Sequence, residues 1–123
     1  MRALIVTSDR AAWRAFADTF AAAGWESVFA SGAAEALETI RSGADRPALL
    51  LWDKRANAQS LRDDAVAAMM IDVRIHQSAA TTLDEEAFHE ESEGLGFLPG
   101  ISAAVTAEDA VKILSSLKKL GIG

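Results

Sequence analysis

Asp53 closes the run PALLLWD, residues 47–53, in which a proline and a block of apolar residues lead to a single acid and then to the polar stretch KRAN. That pattern reads as a buried strand delivering one carboxylate to the edge of a sheet. An acid in that place can take part in chemistry, or it can serve only as a turn residue that accepts backbone N–H bonds. A second candidate is LDEEAFHEESEGLG, which gathers Glu85, Glu86, His89, Glu90, Glu91 and Glu93 on one short helix. His89 and Glu93 are four apart, so both can face one side and share a metal. With no second histidine nearby in sequence, a solvated acidic face is the plainer reading, its first-turn carboxylates favoured by the helix dipole. The segment TSDRAAW lacks the glycines that let backbone approach a phosphate, and no glycine-flanked serine marks a hydrolase elbow.

Composition narrows the classes further. The chain has 123 residues, half of them hydrophobic, enough for one core without staples. It contains no cysteine, which excludes disulfides, thiolate metal sites and cysteine nucleophiles. Net charge is −6 with the basic residues scattered, so nucleic acid is not an expected partner. The apolar run after Met1-Arg2 is too short for a signal core or a membrane span, and a cytoplasmic protein that avoids membranes is expected. Trp13, Trp25 and Trp52 are expected to pack, with Trp52 pointing opposite to Asp53 because strand neighbours alternate.

The elements that must position these residues alternate along the chain. RALIVT (2–7), WESVFA (25–30), ALLLW (48–52), SAATT (78–82) and GFL (96–98) read as five strands. Ser8 or Asp9 caps a first helix with Ala12, Phe16, Phe20 and Ala23 inward, ended by Gly24. Ser31 caps a second with Ala34, Leu37 and Ile40 inward, ended by Gly43. Ser60 and Asp63 form a capping box for a third that runs to about Gln77, with His76 complementing its C-terminus. Thr82 and Glu85 box a short fourth, and Thr106 and Asp109 a fifth with Ala107, Val111, Leu114 and Leu117 on one face. The whole chain, 1–123, is thus expected to be one α/β domain. Right-handed crossovers point to a flavodoxin-like (βα)5 sheet of strand order 2-1-3-4-5 with a shortened fourth helix. Its working crevice lies beyond the carboxyl ends of the strands, near Thr7, Ser8, Asp9, Asp53, Lys54, Thr81, Thr82 and Leu98.

At those residues the chain resembles the receiver domains of two-component response regulators. ALIVTSD looks like a receiver first strand, ALLLWD like the strand bearing the phospho-accepting aspartate, and GLGFLP like the fifth strand. The resemblance covers nearly the whole chain and implies an aspartyl-phosphate switch. It implies an acidic pair after strand one that binds magnesium with the acceptor, a hydroxyl after strand four, and a lysine before a proline in strand five. Asp53 matches the acceptor, and Thr82 or Thr81 the switch hydroxyl. Thr7 and Ser8 replace the acidic pair, with Asp9 displaced one residue onward, and Leu98 replaces the lysine.

Magnesium carries two charges and prefers hard oxygen ligands, so neutral hydroxyls beside a lone carboxylate hold it poorly. Phosphoryl transfer depends on such cations to stabilise the oxygens in flight. The expectation is therefore a degenerate, non-enzymatic receiver acting through protein–protein interaction, with no resident cofactor and at most weak magnesium near Asp53 and Asp9. Lys54 would serve as a substitute cation only if its side chain turned toward Asp53. A sensor kinase or an output protein is the partner class the resemblance implies. Two alternatives stay open: an atypical receiver phosphorylated on Asp53, and a small metal-dependent enzyme or metal-binding protein built on Asp53, His89 and the acidic helix. The third helix has an apolar arc wider than one face needs. Leu61, Ala65, Ala68, Met69 and Ile75 lie along one side, and Val66, Met70 and Val73 along another. Met69, Met70 and Val73 are expected to form an interaction surface, with a homodimer as the result.

Overall fold

Alternation along each strand divides the core in two. In this computed structural model, which describes residues 1–43 and 46–122, β1 (Arg2–Val6), β2 (Glu26–Ala30), β3 (Leu49–Asp53) and β4 (His76–Ala80) form one parallel sheet of order β2-β1-β3-β4. β1 lies between β2 and β3, with Val6 level with Ala30 and Trp52. Ala3, Ile5, Leu49 and Leu51 point to one face, where Phe16 and Phe20 of α1 (Arg14–Ala22) and Ala110, Ile113 and Leu117 of α5 (Ala107–Lys119) cover them. Leu4, Val6, Leu50 and Trp52 point to the other, against α2 (Ala33–Ser42) and α3 (Leu61–Ile71). Strands buried on both faces explain why ALIV and LLLW read as unbroken apolar runs rather than alternating ones. Trp13, Phe16, Phe20 and Trp25 form a continuous aromatic row, with successive ring centroids 5.1, 4.9 and 5.4 Å apart.

The expected five-stranded sheet is corrected to four strands among the described residues. Gly96–Leu98 is not a strand. Leu98 N donates to Gln77 O and Ile101 N to Ala79 O, each at 2.9 Å, but only Ile101 forms a bridge, to Ala80. The donors are three residues apart and the acceptors two. One extra residue therefore bulges at Pro99-Gly100, where proline has no N–H to give. A Cβ at Gly100 would stand 3.1 Å from the Phe88 ring of α4 (Glu85–Ser92), closer than an ordinary contact, so the ring would have to shift by a few tenths of an ångström.

The third helix stops at Ile71, six residues short of the expected Gln77. Asp72 ends it: its backbone is extended, and its carboxylate accepts from Arg74 N at 3.0 Å and from Arg46 Nη1 at 3.2 Å. The chain is then free to enter β4 at His76, so His76 is a strand residue and not a helix-terminal one, and Ile75 precedes the strand. Ser60 sits at the N-cap of α3 but makes no side-chain cap bond, since its Oγ accepts from Lys54 instead. Asp84, not Thr82, caps α4, accepting from Ala87 N at 2.8 Å, and α4 is only eight residues long. At α2 the cap is Gly32, with Glu35 reaching back to accept from Ser31 N and Oγ. The Thr106–Asp109 box of α5 is present as expected.

Two inward faces are rotated from expectation. In α2, Ala36 and Ile40 are buried, Leu37 is half-buried and Ala34 is exposed. In α5, Ala110, Ile113 and Leu117 are buried while Val111 is 56% exposed. Both helices carry two neighbouring stripes of apolar spacing, and docking on the sheet selected between them. On α1, Ala23 lies past the helix and is exposed.

Candidate functional site

Three loops at the carboxyl ends of the strands converge on Asp53. β1 ends at Val6, and Thr7 follows it, buried, with its N–H donating to Ala30 O at 2.9 Å. Thr7 Oγ1 donates to Asp53 Oδ2 at 2.6 Å and accepts from Asp9 N at 2.9 Å. Asp9 caps a single 3₁₀ turn, Arg10–Trp13, that carries Trp13 into the core. From there Trp13 Nε1 donates to Asp53 Oδ2 at 3.1 Å. A buried indole N–H needs an acceptor, and here it is the carboxylate.

The largest partner comes from the same loop as Asp53. Arg55 turns back so that Nε donates to Asp53 Oδ1 at 2.8 Å and Nη2 to Oδ2 at 2.7 Å, a fork-on-fork pair, with Arg55 N at 3.3 Å from Oδ1. Its Nη2 also lies 3.6 Å from Asp9 Oδ2, and its Nη1 donates to Ala103 O at 3.4 Å in the loop before α5. The side chains of Asp53 and Arg55 are only 10% and 22% exposed. Burial pushes the Asp53 carboxyl up, but the hydrogen bonds from Arg55, Thr7 and Trp13 outweigh it and hold the group well below the usual carboxylate range. Arg55 is raised in turn, chiefly by its bonds to Asp53.

Lys54, considered as a substitute cation, points away. Its N–H donates to Ala80 O, and its Nζ binds Ser60 Oγ at 2.8 Å and the Asp64 carboxylate, 5.4 Å from the Trp52 ring. Arg55 was the residue sequence reasoning missed. A basic residue two positions after an acid in a turn was the available signal, but chain reversal in the loop decides whether such a pair meets.

The other expected positions are distributed as follows. Ser8 is exposed, and Asp9 is more than half exposed. Thr81 is buried one residue beyond β4, whose Ala80 is level with Asp53, and its Oγ1 accepts from Leu83 N at 3.2 Å. Thr82 is exposed. Leu98 is buried in the apolar layer shared with α1 and α5. On α3, Met70 and Val73 beyond its end are 83% and 72% exposed, beside exposed Val66, while Met69 is half-buried. Trp52 points opposite to Asp53, as alternation requires, and its Nε1 donates to Gln77 Oε1 at 2.7 Å, with Gln77 Nε2 donating on to Ala65 O at 3.1 Å. Between α4 and the loop before α5 lies a cleft of about 890 Å³, whose lining includes Phe88, Phe97, Ile101, Glu85, His89 and Lys112.

These residues do not fit the magnesium site that a receiver resemblance implies. Both Asp53 oxygens are taken by five donors, Thr7 and Ser8 bring no charge, and Asp9 is paired at longer range to Arg55. Among the described residues no group of three or more His, Cys, Asp or Glu is placed to hold a metal, and no helix is long and apolar enough to cross a membrane.

No family model and no curated protein matches the chain. Solved structures do. A response regulator receiver domain from Methanospirillum hungatei is similar at TM-score 0.78 and 21% identity, over 98% of this chain and 95% of that one. The N-terminal domain of a response regulator/sensory box/GGDEF protein from Carboxydothermus hydrogenoformans is similar at 0.76 and 20%, over 98% and 96%. A receiver domain from Clostridium thermocellum gives 0.76 and 15%, over 98% and 96%. The chain therefore has the fold of response regulator receiver domains, with its fifth strand reduced to a bridge.

Proposed function

We propose that this domain is a receiver-like signalling module that works by protein–protein interaction, with Asp53 retained as a structural anchor rather than a phosphoryl acceptor. One observation carries the reading: the nucleophilic oxygens of Asp53 are bonded to Arg55, Thr7 and Trp13. A carboxylate so held is a weak nucleophile, and a guanidinium already paired to it leaves little room for an incoming phosphoryl group. The module is not an enzyme, needs no cofactor and acts in the cytoplasm on a sensor kinase or output protein. Its contact faces are the cleft beside the acidic α4 and the apolar patch of Val66, Met70 and Val73, the latter favouring a homodimer.

The buried Thr81 hydroxyl beside the end of β4 favours a second reading, an atypical receiver that still accepts phosphate on Asp53. Incubation with magnesium and a small acyl phosphate, followed by intact mass measurement, separates the two. The unmodified mass is expected; a stoichiometric phosphate adduct that disappears in Asp53→Asn would establish the second reading instead.

A further inference from the structure

We infer that the Arg55 guanidinium is this domain's resident cation, standing between Asp53 and Asp9 and closing the crevice to divalent metal. The inference rests on the reading of Asp53 as an anchor and adds to it the device that keeps Asp53 so.

The geometry is that of a coordinating centre built from hydrogen bonds and one longer ion pair. One side chain joins the loop after β1 through Asp9, the loop after β3 through Asp53, and the loop before α5 through Ala103 O, at 3.6, 2.7 and 3.4 Å from its Nη atoms. A hard divalent ion placed between the same two carboxylates would tie the first two loops in the same way. The guanidinium has three advantages over such an ion. It is charged at every accessible pH, its planar fork matches a carboxylate, and its attachment two residues from Asp53 makes the encounter intramolecular. A metal would have to displace a two-pronged pair that is mostly buried. Lys54 and Arg10 are engaged elsewhere: Lys54 is bound to Ser60 and Asp64, and Arg10 lies over the Phe29 ring, 5.3 Å from its centroid.

Removing the guanidinium leaves the Asp53 and Asp9 carboxylates, the Thr7 hydroxyl and the Ala103 carbonyl around a vacated cation position. Manganese(II) is the probe, titrated by calorimetry and by the electron paramagnetic resonance signal of the free ion. Wild type, Arg55→Ala, Arg55→Gln and Arg55→Gln/Asp53→Asn are compared. No saturable binding is expected for wild type at millimolar metal. Both single variants should bind one ion at least tenfold more tightly than wild type, and Asp53→Asn should abolish that gain. Should a variant be unfolded without metal, manganese is expected to restore its cooperative melt. Tight binding by wild type overturns the inference, as do single variants whose affinity and melting stay at wild-type values in manganese. A phosphate adduct on wild type bears on the anchor reading alone, so the two failures are distinguishable.

Discussion

Lys54 and Arg55 are adjacent, carry the same charge and serve opposite sides of the sheet. Lys54 crosses to Asp64 on α3, while Arg55 folds back onto Asp53 at the carboxyl end of the strand. The loop after β3 thus sends one cation to each side. Only the second meets Asp53, and its charge offsets that of the carboxylate.

Removing both members of the Asp53–Arg55 pair should cost less than the sum of removing each alone. Asp53→Ala strands a guanidinium that is 22% exposed and leaves the Thr7 and Trp13 donors without their acceptor. A loss of about 1–3 kcal/mol is expected, below the cost of breaking a fully buried pair. Asp53→Ala/Arg55→Ala should be less than additive, by about 1 kcal/mol or more of coupling. Urea unfolding of the four proteins at neutral pH gives the cycle, and strict additivity would contradict the pairing.

Acid should expose the same network. The Asp53 carboxyl is held below its unfolded value of about 3.9, so its stabilising contribution is complete above that pH. The contribution is lost as pH falls toward the folded value, where the native carboxylate finally takes a proton. Wild type should therefore lose stability below about pH 4 more steeply than Asp53→Asn, which has no carboxylate to protonate there. Denaturant midpoints across an acid series test the slopes.

Trp13→Phe keeps the ring that packs edge-on against Phe16, 5.1 Å between centroids, but deletes the indole donor to Asp53. A loss of about 1–2 kcal/mol is expected for one hydrogen bond to a charged acceptor plus the volume change. Thermal melts of the variant report it, and in an Asp53→Ala background the hydrogen-bond part should vanish, leaving the smaller loss from the volume change.

On the other side of the sheet, Gln77→Ala should destabilise by about 1–3 kcal/mol by leaving the buried Trp52 N–H without an acceptor. Gln77→Glu keeps an acceptor but loses the donor to Ala65 O and buries a charge, so it should be at least as harmful. Equilibrium unfolding ranks the two.

The α3 patch separates association from folding. Met70→Glu/Val73→Lys changes side chains that are 83% and 72% exposed, so stability should move by no more than about 0.5 kcal/mol. Light scattering at high micromolar concentration should read a dimer for wild type and a monomer for the variant.

Much of the architecture was legible because it depends on local composition. The apolar blocks at 3–6 and 49–52 could only be strands buried on both faces, Gly43 stops α2 with a left-handed φ of 69°, and the Thr106–Asp109 box opens α5 where its spacing says it should. The acid at position 53 was placed at a strand end by the same logic. What the sequence could not give depends on partners distant along the chain or on loop direction. The end of α3 at Asp72 was set by Arg46 and Arg74, and the faces of α2 and α5 by which of two equivalent stripes met the sheet. The fifth strand failed for want of one register step at Pro99-Gly100, visible only against β4. Composition decides whether a segment is buried or capped, because those energies are local. The meeting of Arg55 with Asp53, Asp9 and Ala103 was fixed only when tertiary packing brought three loops together, since a side chain's charge is written in the sequence but its direction is not.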